Sequence, residues 1–170
     1  VSFELESIYD GALEGATDEQ RAAFDNAVSD AQKRAVTTTT VLSSVEETME
    51  ALRSAIDRTQ GDITGLEAQY ADVQREINAV NRELYGLESR NRKGIKPANI
   101  TSRLGYARSA VGSSYGPTQQ HKDQLRFANE GLDSVSERVS VLQQTTLPAL
   151  QNAVVNAGGP WTMGLPVITR

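Results

Sequence analysis

The sequence contains no cysteine and only one histidine, His121, among its 170 residues. The lack of cysteine excludes disulfide scaffolds, thiolate metal sites and cysteine nucleophiles, and a single histidine excludes every multi-histidine metal site. Aromatic residues make up only 5% of the chain, which favours helices over a β-sandwich. No apolar run approaches the roughly 20 residues that a transmembrane helix needs, so we expect no membrane span.

Charge is distributed unevenly along the chain, whose formal net charge is −5. Residues 1–89 carry 18 acidic and 7 basic side chains, whereas residues 90–122 carry seven basic side chains and no acidic one. A basic segment of this size attracts acidic partners or phosphate, but we favour the interpretation that it neutralises the acidic helices beside it. Nucleic acid is disfavoured as a partner because the whole chain is acidic and its aromatic residues do not interleave with the basic ones.

A heptad pattern predicts a first long helix from Asp18 to Gln60. Thr17-Asp-Glu-Gln20 has the form of a capping box, in which the side chains of Thr17 and Gln20 satisfy free backbone N–H groups. Apolar positions then recur at spacings of three and four and are Phe24, Val28, Ala31, Ala35, Thr38, Leu42, Val45, Met49, Leu52 and Ile56.

Two shorter helices follow. Asp62 is predicted to cap the second helix, whose apolar stripe runs from Ile63 to Leu87 and which Gly94 ends in a left-handed conformation. Asn99 is predicted to cap the third, and this capping role explains Asn99 without the glycosylation sequon that Asn99-Ile-Thr101 also forms. The apolar face of the third helix is Ile100, Leu104, Ala107 and Val111.

The last long helix is predicted to open at Thr118, after a loop over residues 112–117. Pro148 lies near its end and is expected to kink it by removing one N–H donor. Gly158-Gly-Pro160 is expected to stop it. Its apolar stripe consists of His121, Leu125, Ala128, Leu132, Val135, Val139, Leu142, Leu150 and Val154.

These lengths predict an all-α fold, an antiparallel long-helix bundle of three rods. The second and third helices together are about as long as the first or the last, so they form a middle rod broken at residues 91–98. A four-helix up-down bundle is the alternative, since a loop of that length also reverses direction. We expect an extended lead-in over 1–16, with a short strand at Val1–Leu5, then the bundle over 17–157 and an extended tail over 158–170.

No pattern in the sequence predicts an active site. Di-iron bundles need Glu-x-x-His motifs, which are absent, so acidic clusters such as Glu46, Glu47 and Glu50 are interpreted as a solvated helix face. Walker and dinucleotide motifs are also absent. His121 lies on the apolar side at a helix start, where packing or hydrogen bonding is favoured over catalysis. We therefore expect no enzyme activity, no cofactor and no metal.

Several motifs of the C-terminal half recur together in one family. They are Gly116-Pro-Thr-Gln-Gln-His121, Leu147-Pro-Ala-Leu150, Ala157-Gly-Gly-Pro-Trp-Thr162, Gly164-Leu-Pro166 and Ile100-Thr-Ser-Arg-Leu104. Through them, roughly from Lys96 to Pro166, the chain resembles the C-terminal helical region of large bacterial sortilin-like proteins. These are Asp-box (BNR-repeat) β-propeller proteins that are often labelled glycosyl hydrolases. The first 90 residues resemble that region in pattern only, and Met163 and Thr146 depart from it.

The resemblance implies a non-catalytic accessory bundle of an exported bacterial protein, located in the periplasm, at the cell surface or outside the cell. Its partner would be its own upstream β-propeller or another protein subunit. No Asp-box (Ser-x-Asp-x-Gly-x-x-Trp) occurs in this chain, so the propeller and any glycosidase site of the family lie outside it. An independent coiled-coil subunit of a larger assembly is the alternative.

A few residues are candidates for packing or interaction contacts. We expect Trp161, the only tryptophan, to pack onto the bundle near the end of the last helix, because an indole buries about 150–250 Å² when packed. Pro160 presets the approach of the chain to that surface. The full set of candidates is Trp161, Pro160, His121, Tyr115, Arg92 and Lys93.

Overall fold

The computed structural model describes residues 15–86 and 98–160, and within these ranges every regular element is helical. The elements are α1 (Asp18–Ile56), α2 (Thr64–Tyr85), α3 (Ile100–Arg108), α4 (Gln119–Val141), a π-helical turn (Leu142–Thr146) and α5 (Leu147–Asn156). The all-α fold predicted from the sequence is confirmed. The strand expected at Val1–Leu5 and the tail beyond Pro160 lie outside the described residues.

Three of the helices begin with a capping box, in which two residues three apart satisfy each other's backbone N–H groups through their side chains. Their N-caps are the predicted ones, Thr17, Asn99 and Thr118. Asp62 lies one residue before the N-cap of α2, which is Ile63. Its Oδ1 accepts the backbone N–H of Thr64 at 3.0 Å, and this hydrogen bond holds the pKa of Asp62 below its ordinary value.

Two helix ends differ from the prediction. α1 ends at Ile56 rather than Gln60. α2 ends at Tyr85, because the next residue, Gly86, has a φ of 85° and leaves the right-handed helical region. The predicted end at Gly94 is therefore wrong, and Leu87 and Gly94 themselves lie outside the described residues.

Side-chain contacts give the direction of each rod. Arg34 pairs with Asp133, and Thr38 Oγ1 lies 2.9 Å from Ser136 Oγ, so α1 and α4 run parallel. By contrast, α2 runs antiparallel to α1. Glu46 of α1 accepts from Asn81 Nδ2, near the end of α2, at 2.7 Å, whereas Arg53, further along α1, lies over the ring of Tyr70, near the start of α2.

The third helix continues the direction of α2. Its first turn lies against the end of α2, where Thr101 Oγ1 donates to Leu84 O at 2.8 Å, and its last residues lie near the start of α4. The three-rod bundle with a broken middle rod is thus the observed topology, and the four-helix up-down alternative is not. At about 1.5 Å per residue, α1 is roughly 58 Å long.

The core follows the predicted apolar stripes closely. Within them the most central side chains, including Leu52, Val80 and Leu132, are fully buried. Val111 departs from the prediction and is 42% exposed, because α3 ends at Arg108 and Ala110 occupies the buried position instead. Four stripe residues are only partly buried, namely Ala35, Ile63, Tyr70 and His121.

The irregularity expected at Pro148 takes the form of a π-helical turn. Proline at this position has no N–H to donate, and its ring would collide with the carbonyl four residues earlier in a continuous α-helix. The chain adds one residue to the preceding turn, so that Leu147 N donates to Leu142 O, five residues back. Pro148 then lies in the first turn of α5, where its missing N–H has no intrahelical partner to lose.

Candidate interaction surface

Exposed aromatic and apolar side chains gather around α3 and the first half of α4. Within the described residues, those near this region are Tyr85, Tyr106, Val111, Tyr115 and Phe127, with exposures from 39% to 57%. The remaining large apolar side chains with comparable exposure, Val36, Val141 and Val155, are scattered singly. Clustered exposed aromatics on a chain so poor in aromatics mark this region as the candidate interaction surface.

Two arginines flank one of these rings. The guanidinium carbon of Arg103, on α3, lies 5.0 Å from the centroid of the Phe127 ring, and that of Arg126, on α4, lies 4.2 Å from it. Arg103 Nη1 also donates to Gln124 Oε1 at 2.7 Å, while Arg126 pairs with Glu130 at 2.8 Å. Two cationic side chains therefore lie against the exposed ring of Phe127.

A stacked pair of rings also joins α3 to α4. The rings of Tyr106 and His121 stack with centroids 4.9 Å apart. His121 Nδ1 accepts the backbone N–H of Thr118 at 3.2 Å, which closes the capping box of α4, and Nε2 lies 3.3 Å from Ser109 Oγ. We call the set Arg103, Tyr106, His121, Arg126 and Phe127 the arginine–aromatic face.

This face requires α3 to lie close against α4. Gly131 permits the approach, because a Cβ added there would lie 2.9 Å from Ile100 Cγ1. Asn99 fixes the other end of α3 by joining it to α2: its Oδ1 accepts from Ser102 N at 2.8 Å, and its Nδ2 donates to Tyr85 O at 2.8 Å. The Asn99 amide of the sequon is thus engaged on both sides within the fold.

Replacing Asn99 with alanine is expected to lower the free energy of unfolding by about 1–2 kcal/mol, since the α3 cap and the bond to α2 are both lost. Asn99→Asp keeps the capping acceptor but replaces the donor to Tyr85 O with a carboxylate oxygen, so it tests the second bond together with the repulsion between the two oxygens. Thr17→Ala, which removes a capping box that bonds no other helix, is the matched control. Urea denaturation measures all three, and an Asn99→Ala loss no larger than that of Thr17→Ala would contradict the role of the α2 bond.

The charge of the surface is opposite to that of the rest of the described chain. Over residues 98–127 there are four basic side chains and one acidic one, Asp123, whereas acidic side chains outnumber basic ones over 15–86 and 128–160. None of the ion pairs within the described residues involves Arg103, Arg108 or Lys122. The described part of the basic segment therefore does not neutralise neighbouring acidic helices by direct ion pairs.

A second surface feature has the opposite character. Between α2 and α4, beside the π-helical turn, a groove of about 340 Å³ has the apolar side chains Val73, Val141 and Leu142 on its walls and carboxylates at its rim. Arg138 spans it and donates to Glu76 at 2.6 Å and to Glu83 at 2.5 Å. The hydrogen bond to Glu76 is the main reason that the pKa of Arg138 is raised, so this arginine is already engaged by its neighbours.

The residues predicted from the sequence as contact candidates are distributed as follows. His121 belongs to the arginine–aromatic face. Tyr115 is 57% exposed, and its carbonyl accepts from Ala16 N at 3.0 Å, so its backbone joins the α3–α4 loop to the start of α1. Pro160 is exposed. Trp161, Arg92 and Lys93 lie outside the described residues.

The contact candidates predicted from the sequence did not include Arg103, Arg126 or Phe127, although Arg103 belongs to the basic segment over residues 90–122. The signal was present, because Phe127 directly precedes Ala128 of the apolar stripe and therefore falls beside the buried face. An aromatic residue at such a position of a predicted amphipathic helix indicates an exposed ring. The pairing with Arg103 depends on the contact between α3 and α4 and could not be derived from the stripe of either helix.

Comparison with protein-family models, with curated proteins and with solved structures found no match. Within residues 15–86 and 98–160, no helix combines the length and the apolar character that crossing a bilayer requires. The same ranges contain no group of three or more His, Asp or Glu side chains arranged to hold a metal ion.

Proposed function

We propose that this chain is a non-catalytic structural and interaction bundle, the C-terminal accessory domain of an exported bacterial β-propeller protein. The observation that carries the interaction role is the arginine–aromatic face, an exposed cluster of the residue types that dominate binding energy at protein interfaces. Its partner is its own upstream propeller or another subunit. The motif resemblance over residues 96–166 supports the propeller assignment.

The packing of the rods favours an accessory domain over the alternative, an independent coiled-coil subunit. The apolar stripes of α1, α2, α4 and α5 all contribute to one core cluster. Buried side chains from every rod, such as Leu42, Ile77 and Leu132, are already covered within one chain. A coiled-coil subunit would instead present a heptad stripe to a second chain.

Two measurements test this proposal. We expect sedimentation velocity to show a folded, elongated monomer, because the core is completed within the chain. We also expect the gene to encode Asp-box repeats upstream of this segment in the same reading frame. An obligate oligomer that unfolds on dilution would favour the coiled-coil subunit, and an upstream sequence without such repeats would contradict the propeller assignment.

A further inference from the structure

We propose that the arginine–aromatic face docks an acidic protein segment that also carries apolar side chains. This inference rests on the proposed interaction function and adds the chemistry of the partner. Three observations support it: two guanidinium groups held beside one ring, exposed aromatic area next to them, and a local positive charge on an otherwise acidic molecule.

The two guanidinium groups set the charge of the partner. Arg103 and Arg126 both lie against the Phe127 ring, so the ring limits the conformations that they sample before a partner binds. Guanidinium groups bind carboxylates through paired N–H donors and are more weakly hydrated than ammonium groups. Among the described residues, Arg103 donates to the neutral Gln124 whereas Arg126 pairs with Glu130, so Arg103 is the stronger candidate for a carboxylate contact.

The aromatic side chains set the second requirement. Tyr106 is 41% exposed and Phe127 is 39% exposed, so each buries further apolar area only if the partner supplies apolar side chains. Tyrosine and arginine are enriched among the residues that dominate interface energies. A partner with carboxylates alone would leave these rings in water, and an apolar partner without carboxylates would give Arg103 no carboxylate to bind.

Charge complementarity favours an acidic protein over nucleic acid. The basic residues lie on α3 and on the first turns of α4, while α1 and α2 carry an excess of acidic side chains. An extended polyanion that continues past this face would meet those carboxylates and be repelled. A protein surface can match the small basic area and present other residues beyond it.

The experiment uses the whole chain and a fluorescein-labelled peptide built of Glu-Glu-Leu repeats. We expect the peptide to bind in fluorescence anisotropy titrations, and to shift the amide resonances of α3 and of the first half of α4 in the unmodified chain. Arg103→Glu and Phe127→Ala are each expected to weaken binding about tenfold. A peptide with lysine in place of glutamate, a glutamate-only peptide and oligothymidylate of equal length serve as comparison ligands.

Matched variants separate a docking role from general charge. Arg75→Glu makes the same charge change as Arg103→Glu on an exposed part of α2, and Val36→Ala trims an exposed apolar residue of α1. We expect both to bind the peptide as the unmodified chain does. Circular dichroism of each variant verifies folding, and the resonance mapping needs no variant at all.

Three kinds of result would overturn the inference. The first is that the peptide shifts resonances outside α3 and α4, or that Arg103→Glu weakens peptide binding no more than Arg75→Glu does. The second is equal binding of the lysine peptide or of the glutamate-only peptide. The third is oligothymidylate binding more tightly than the Glu-Glu-Leu peptide through the same residues. Each can occur in a stable monomer beside upstream Asp-box repeats, so failure here is distinguishable from failure of the proposed function.

Discussion

Replacing Ile77 with alanine is expected to lower the free energy of unfolding by about 3 kcal/mol, within the range of about 2–5 kcal/mol for such truncations in cores. Ile77 is 1% exposed and lies in the middle of α2, the helix that contacts α1, α4 and α5. Because helices of both other rods pack against α2, the neighbouring helices cannot all move inward to fill the space that the side chain leaves. The free-energy cost of the lost apolar burial and the cost of the residual cavity therefore add together.

Urea denaturation followed by circular dichroism at 222 nm measures this effect. Two companions calibrate it: Ile77→Val, which removes one methylene and should cost about 1 kcal/mol, and Val36→Ala, at a position 64% exposed, which should stay within about 0.5 kcal/mol. Leu42→Ala and Val139→Ala, central on the other two rods, should cost about 2–4 and 1–3 kcal/mol. If Val36→Ala proved as costly as Ile77→Ala, the assignment of core and surface faces would be wrong.

The buried face of each helix could be predicted from the sequence because the apolar spacing that indicates it is local and repeated. In α1, the spacing from Phe24 through Ile56 places nearly every predicted position in the core. Capping boxes are equally local, since each needs only two side chains three residues apart. For the same reason Thr17, Asn99 and Thr118 were predictable as N-caps.

Features that depend on contacts between distant segments were not predictable in the same way. Val111 is exposed because α3 ends at Arg108, and the apolar spacing does not indicate where the helix ends. The π-helical turn before Pro148 is one of several ways to accommodate a proline. Arg103 and Phe127 belong to different helices, and only the close packing of Ile100 against Gly131 brings those helices together.

Gly116 is the glycine of the α3–α4 loop that is least able to accept a side chain, because it lies where the loop contacts the start of α1. Gly116 has a φ of 79°, and a Cβ added there would lie 2.5 Å from Ala16 Cβ and 3.1 Å from Arg21 Cγ. Both neighbours are themselves fixed to the loop: Ala16 N donates to Tyr115 O at 3.0 Å, and Arg21 Nη1 donates to Ser114 O at 2.5 Å. A methyl group at Gly116 therefore forces Ala16 away and disturbs the bond to Tyr115.

Gly116→Ala is expected to cost about 1–2 kcal/mol for the left-handed backbone and about 1–3 kcal/mol more for the collision. Gly112→Ala isolates the first contribution, because Gly112 has a φ of 75° but open space around it. Gly105→Ala, inside α3 and also in open space, should instead stabilise the protein by about 0.5–1 kcal/mol. Urea denaturation gives the three values, and hydrogen exchange at Ala16 N–H reports the loop contact directly. Equal losses in the free energy of unfolding for Gly116→Ala and Gly112→Ala, with unchanged protection at Ala16, would show that the loop does not pack against α1. The packing requires a larger loss for Gly116→Ala and faster exchange at Ala16.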